Sequence, residues 1–232
     1  MPILQEIEEK IVPGILSLVS GISVSYEGQS REQEKVIRSI KRTFPVAFVG
    51  MFILIVLVFR SYLQALLVYS LIPLGLMGAI WGHGIQGLVL NILSLYGLIA
   101  LTGIVVNDSI VLVDQINRNM LQGQKLYEAV YNAAISRLRP ILLTTLTTAI
   151  GLSPLIAENS RQAKFLIPMA VSVAYGLVFG TVILLIVLPA GFLCLNRLRM
   201  IWHRLIFGIS ATPEQVEPAF RELMEAEQLS RR

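Results

Sequence analysis

Five stretches of this chain are long and apolar enough to cross a bilayer, and that restricts its fold more than any other feature. They run at about 45–60, 64–84, 91–117, 140–157 and 165–195. About 20 mostly apolar residues in a helix span the hydrocarbon of a membrane. Inside hydrocarbon each backbone N–H and C=O must find its partner within the protein, which for single runs like these means helices. Composition supports the reading. The 232 residues are 55% hydrophobic and 15% charged, with mean hydropathy +0.71, whereas soluble domains average about 25% charged residues. The expected class is therefore an all-α polytopic membrane protein with five transmembrane helices, not a soluble domain.

Residues 1–43 are of another kind. "MPILQEIEEKIVPGILSLVSG" places apolar residues at helical spacing and stops at Gly21. "ISVSYEG" alternates apolar and polar residues and ends at Gly28, which predicts a short strand. "QSREQEKVIRSIKRTF" is a polar helix, with Ser30 and Gln33 at capping-box spacing. Helix, strand and helix cannot close a core alone, so an α/β stub of a larger extramembrane domain is expected at 1–43. No basic segment followed by a short apolar one opens the chain, so no signal peptide is expected. The bundle occupies 44–197. The tail, 198–232, holds the basic stretch "NRLRMIWHR" and then "TPEQVEPAFRELMEAEQ". In that segment Thr212 is expected to cap a water-facing helix, with Pro213 first in it and Gln215 completing the box.

Lys and Arg near the span ends set orientation. Arg60, Arg118, Lys125, Arg137, Arg139, Arg197, Arg199 and Arg204 share one side, against Arg161 and Lys164 on the other. This predicts a cytoplasmic C-terminus and an outward N-terminal segment. Lys35, Arg38, Lys41 and Arg42 pull the other way, which fits a topology already fixed by sequence upstream. The lone Cys194 cannot form an internal disulfide. Basic residues lie beside the spans and not in one patch, which disfavours a nucleic-acid partner.

The third span contains "GIVVNDSIVLVD", with an asparagine and an aspartate side by side in its middle. A charge in hydrocarbon is costly and marks a functional site by default. At 100° per residue, with Asp108 at zero, Gly97 falls near about −20°, Ser94 near about 40°, Ser109 and Asn91 near about 100° and Thr102 near about 120°. The helix thus has one polar, small-residue face. On the fourth span, with Thr144 at zero, Thr148 lies near about 40°, Gly151 near about −20° and Thr147 near about −60°. Arg137 lies near about 20°, about 10 Å along the axis. Two polar faces result, one with a carboxylate and one with hydroxyls and an arginine. A carboxyl group that can take up a proton escapes the cost of its charge, so Asp108 is the candidate proton carrier; permanent neutralisation by a neighbour is the alternative. Membrane Ser and Thr also bond their own i−4 carbonyls, and small residues permit close packing. Asn107 could be interhelical glue, Asp114 reaches the headgroup region, and Arg137 and Arg139 could be interfacial anchors. His83, at a span end without a second ligand, is expected at the interface and not on a metal.

Enzyme chemistry finds no support. There is no HExxH, no GxSxG, no phosphate loop and no paired-cysteine motif. Asp108 and Asp114 point about 120° apart on one helix and do not converge as a hydrolase would need. Neither an enzyme, nor a cofactor, nor a metal site is expected.

"YEGQSREQ", "FRSYLQALLVYSLIPLGLMGAIWGH", "GLIALTGIVVNDSIVLVDQIN", "RLRPILLTTLTTAIGLSPL" and "QAKFLIPMAVSVAYGLVFGT" resemble, in order and spacing, successive blocks of the resistance–nodulation–cell division (RND) efflux permeases of bacterial inner membranes. The resemblance covers roughly residues 20–197, the last five helices of a twelve-helix subunit and the end of its second periplasmic porter domain. It implies a proton-driven antiporter exporting drugs or other amphipathic compounds, trimeric when complete and working with a periplasmic adaptor and an outer-membrane channel. It places the N-terminal segment in the periplasm of a Gram-negative cell. It puts Thr144 and Arg137 at the relay threonine and arginine, with Thr148 beside them. Asn107 stands where well-studied members carry lysine, and Asp108 where they carry asparagine. The lysine is missing, so Asp108 is left as this half's proton carrier. The first-half aspartates and most of the porter domains lie elsewhere, so the 232-residue chain alone is expected not to transport. The alternative is a non-transporting membrane subunit that only packs against a partner half through Ser94, Thr102, Ser109 and Thr147.

Overall fold

A computed structural model describes residues 29–207, 212–213 and 216–218. All regular structure among them is helical: α1 (Gln29–Phe59), α2 (Tyr62–Gln86), α3 (Ile92–Leu121), α4 (Leu126–Ala157) and α5 (Arg161–Phe207). Each contains a segment long and apolar enough to span a membrane. The strand expected before Gly28 and the first helix lie outside the described residues. Residues 1–46 and 47–232 form two units. Among the described residues the first unit holds the polar start of α1, and the second holds the bundle of spanning helices.

The helices run longer than the apolar runs. The boundary expected at Pro45 is not there, because that proline lies inside α1. The fourth helix begins at Leu126, with Pro140 and Pro154 inside it. The fifth continues through the basic stretch to Phe207, with Pro168 and Pro189 inside. Hydropathy marks where a helix is in lipid, not where its hydrogen bonding ends, and membrane helices tolerate internal proline when neighbours meet the freed carbonyls.

The ends are set by side chains. Ser61 caps α2, its Oγ accepting from Gln64 N at 3.3 Å. Gly87, at φ 63°, closes the other end in the left-handed conformation that a Cβ disfavours. Asn91 and Ser94 form a capping box at the start of α3, Oδ1 accepting from Ser94 N at 2.9 Å and Ser94 Oγ from Asn91 N at 3.2 Å. Two residues of the expected polar face therefore serve helix initiation.

Helix α5 is the hub, packed by α2, α3 and α4. Its approach to α2 and α3 depends on glycine. A Cβ on Gly78 would stand 2.4 Å from Phe179 Cβ, and one on Gly82 2.4 Å from Tyr175 Cβ. Close helix approach through small residues is how membrane bundles gain contact without a hydrophobic driving force. Helix α1 is keyed to α2 by Tyr69, whose hydroxyl donates to Phe48 O at 2.6 Å and whose ring meets those of Phe48 and Phe52 edge-on. Large apolar side chains such as Leu57, Leu66 and Ile150 point outward, as a lipid-facing surface requires.

Hydroxyls bridge helices as well. Thr145 and Thr181 are 2.7 Å apart, both buried, joining α4 to α5. Thr145→Val should destabilise the bundle only modestly, by about 0.6 kcal/mol, the average for such bonds in membranes; unfolding in detergent measures it.

Candidate functional site

The polar face expected on α3 divides in two. Ser94, Thr102 and Ser109 are buried. Thr102 Oγ1 donates to Leu98 O at 2.9 Å and Ser109 Oγ to Val105 O at 2.6 Å, each within its own helix. Ser94 Oγ lies 2.8 Å from Nε2 of His83, whose Nδ1 is 2.9 Å from Ala79 O. His83 is thus a buried strut between α2 and α3, only 3% exposed. Its two hydrogen bonds satisfy both ring nitrogens, which makes burial tolerable. Ser172 on α5 donates to Ser94 O at 3.1 Å and completes this cluster. The Ser94 and Ser172 hydroxyls join helices, whereas those of Thr102 and Ser109 bond only within α3.

Asp108 and Asn107 lie at the edge of that buried face. Asp108 is half-buried and Asn107 exposed. Among the described residues Asp108 has no ion-pair partner. Asp114 is paired with the exposed Arg118 at 2.7 Å.

On α4 the hydroxyl that faces the bundle is Thr145. Thr144 and Thr147 are exposed and Thr148 is half-buried. Thr144 Oγ1 donates to Ile141 O at 2.9 Å, and Thr147 Oγ1 to Leu143 O at 2.8 Å. The two hydroxyls thus satisfy themselves on their own helix and leave their outer side open.

Arg137 is the sequence-predicted residue that joins the two helices, through a partner sequence reasoning missed. Its Nη2 donates to Gln115 Oε1 at 2.7 Å. Gln115 Nε2 donates to Asn119 Oδ1 at 2.9 Å, and Asn119 Nδ2 to Ala129 O at 3.0 Å, back on α4. The result is a polar rung between α3 and α4. Gln115 follows Asp108 by seven residues, about 10 Å along the helix and about 20° around it, so helical geometry alone puts both on one line. Arg137 Nε is buried and without a hydrogen-bond partner among the described residues. Gln115→Leu would strip Nη2 of its acceptor too, and should lower stability by about 1–3 kcal/mol, whereas Gln115→Glu should retain the bond; thermal unfolding in detergent separates them.

The arrangement offers a half-buried carboxyl group on α3, a guanidinium of α4 fixed to Gln115 two turns further along α3, and exposed threonines on α4. Among the described residues no three His, Cys, Asp or Glu side chains converge as metal ligands would.

A sequence profile of the AcrB/AcrD/AcrF family matches residues 4–196. Protein HelA of Legionella pneumophila is 30% identical over 183 residues, 78% of this chain and 17% of that protein. Two crystal forms of a heavy metal efflux pump superpose on it. Form II has a TM-score of 0.67 at 26% identity, covering 84% of this chain and 19% of the pump; form I has 0.62 at 28%, covering 82% and 18%. The chain thus spans under a fifth of the length of each of these relatives.

Proposed function

The chain belongs to the AcrB/AcrD/AcrF family, within the RND efflux transporters, and on that premise we propose that it supplies the C-terminal membrane helices of a proton-driven efflux permease. Asp108 carries the proton, and Asn107, Arg137, Thr144 and Thr148 form the strip through which its protonation is felt. The observation that carries this reading is a half-buried carboxyl group on a spanning helix with no cation paired to it among the described residues. A structural carboxylate would be expected to have such a partner.

The rest of the permease is the partner this strip requires. Arg137 Nε is a donor left over for an acceptor supplied by the other half. The exposed side chains of Asn107, Thr144 and Thr147 suit cover by polar groups of that half better than contact with lipid. The complete protein works as a homotrimer in the inner membrane of a Gram-negative cell, with a periplasmic adaptor and an outer-membrane channel. Its N-terminal segment is periplasmic and its C-terminus cytoplasmic. It moves substrate without covalent chemistry, and the 232-residue chain alone does not transport.

Two substrate classes are in contention. Drugs and other amphipathic compounds follow from the resemblance of the sequence blocks. Metal ions follow from the description of the solved pumps that this fold superposes on. Proteoliposomes holding the complete pump under an imposed pH gradient separate them. Export of an amphipathic dye, abolished by a protonophore, supports the first, and export of a soft metal ion supports the second. Proton-independent behaviour with both would replace this reading with that of a subunit that only packs.

A further inference from the structure

At the end of the bundle where α2 begins, the described residues around Glu217, expected in a water-facing helix, are buried against α2 and α5. Pro213 is in a turn and Glu217 in a bend. Val216 is 8% exposed and Glu217 1%. The acidic side chain enters a group of polar residues from three helices. Asn196 Nδ2, on α5, donates to Glu217 Oε1 at 2.8 Å, and Gln64 Nε2, on α2, to Oε2 at 3.3 Å. Arg199 Nη1 forms a buried ion pair with Oε2. Both carboxylate oxygens are thereby met.

The receiving side chains are held by contacts of their own. Gln64 and Asn117, on α3, exchange amide hydrogen bonds at 3.2 and 3.1 Å, which fixes the direction of the Gln64 donor. Arg199 Nη2 donates to Ser61 Oγ at 2.6 Å, so the guanidinium is fastened to the cap of α2. Asn196 Nδ2 also donates to Pro213 O at 2.7 Å. The donors are thus oriented by bonds that do not depend on the tail, except for those of Asn196.

We propose that Ser61, Gln64, Asn196 and Arg199 constitute a carboxylate-binding socket, which the chain fills with its own Glu217, and that this filling ties the tail at Glu217 to α2 and α5. The argument is independent of proton transport. A guanidinium and two directed amides select an ionised carboxylate over a neutral amide, because charge-assisted bonds are about twice as strong as neutral ones. Removing either charge leaves the other buried without its partner, an arrangement that strongly favours opening.

The test uses the full chain in detergent with Cys194→Ser, Val216→Cys and a water-soluble maleimide. The expected result is slow labelling at position 216, made at least ten-fold faster by Glu217→Gln. A free peptide of residues 211–220, ATPEQVEPAF, should bind the Glu217→Gln chain at least ten-fold tighter than the wild-type chain, whose socket is full. The same peptide with Glu217→Gln should bind neither. Should Glu217→Gln fail to fold, the chain with native Glu217 suffices: saturating Glu peptide should accelerate labelling at position 216, and the Gln peptide should not. Labelling unaffected by both Glu217→Gln and the Glu peptide, or peptide binding indifferent to Glu against Gln, overturns the proposal.

Discussion

Asp108→Asn in the complete pump is expected to reduce proton-coupled export to the level of a pump-free membrane, with the protein still folded. The substitution keeps size and shape. Since the carboxyl group makes no ion pair among the described residues, its loss strands no buried cation. What disappears is the ability to exchange a proton. Substrate efflux from proteoliposomes under an imposed pH gradient, beside a thermal unfolding curve, is the measurement. Undiminished efflux would remove Asp108 from the relay, and a collapsed unfolding midpoint would make it a structural residue.

The second large effect is on stability. Gly97→Ala places a Cβ 2.6 Å from the backbone oxygen of Met169 and 2.6 Å from Ser172 Cβ. A backbone carbonyl cannot swing aside as a side-chain tip does, so α3 and α5 must separate. The bond from Ser172 to Ser94 O lies at the same crossing and would be weakened with it. Overpacking of this kind costs about 1–3 kcal/mol. Gly103, on the same helix, is the control: a Cβ there meets nothing within 4 Å, so Gly103→Ala should be neutral or stabilising by up to about 1 kcal/mol. Equal midpoints for the two variants in detergent would show that the crossing is not set by contact at Gly97.

Much of this fold was legible in advance. The number and order of spans follow from apolar runs alone, because hydrocarbon leaves the chain so few options. Element ends were less legible. Pro45, Pro140 and the charged stretch after Asn196 lay at the expected span boundaries, yet the helices pass through them. Site residues divided along similar lines. That Asp108 is unusual was evident from its surroundings in sequence, and Gln115 was within reach of the same angular arithmetic. Which hydroxyl of "TTLTT" turns inward was not readable, since Thr144 and Thr145 differ only in rotation about α4 and the direction of the bundle is a tertiary fact. The partners of His83 and Glu217 were not readable because they are remote: Ser94 lies on the next helix, and Gln64 is 153 residues from Glu217.

The length of α5 has a mechanical consequence. With 47 residues it measures about 70 Å, more than twice the hydrocarbon thickness of a bilayer. Anchored at one end, a rod of that length turns a tilt of about 5° into about 6 Å of travel at the other. Since α2, α3 and α4 all pack on it, a small tilt of α5 would be felt at all three crossings together.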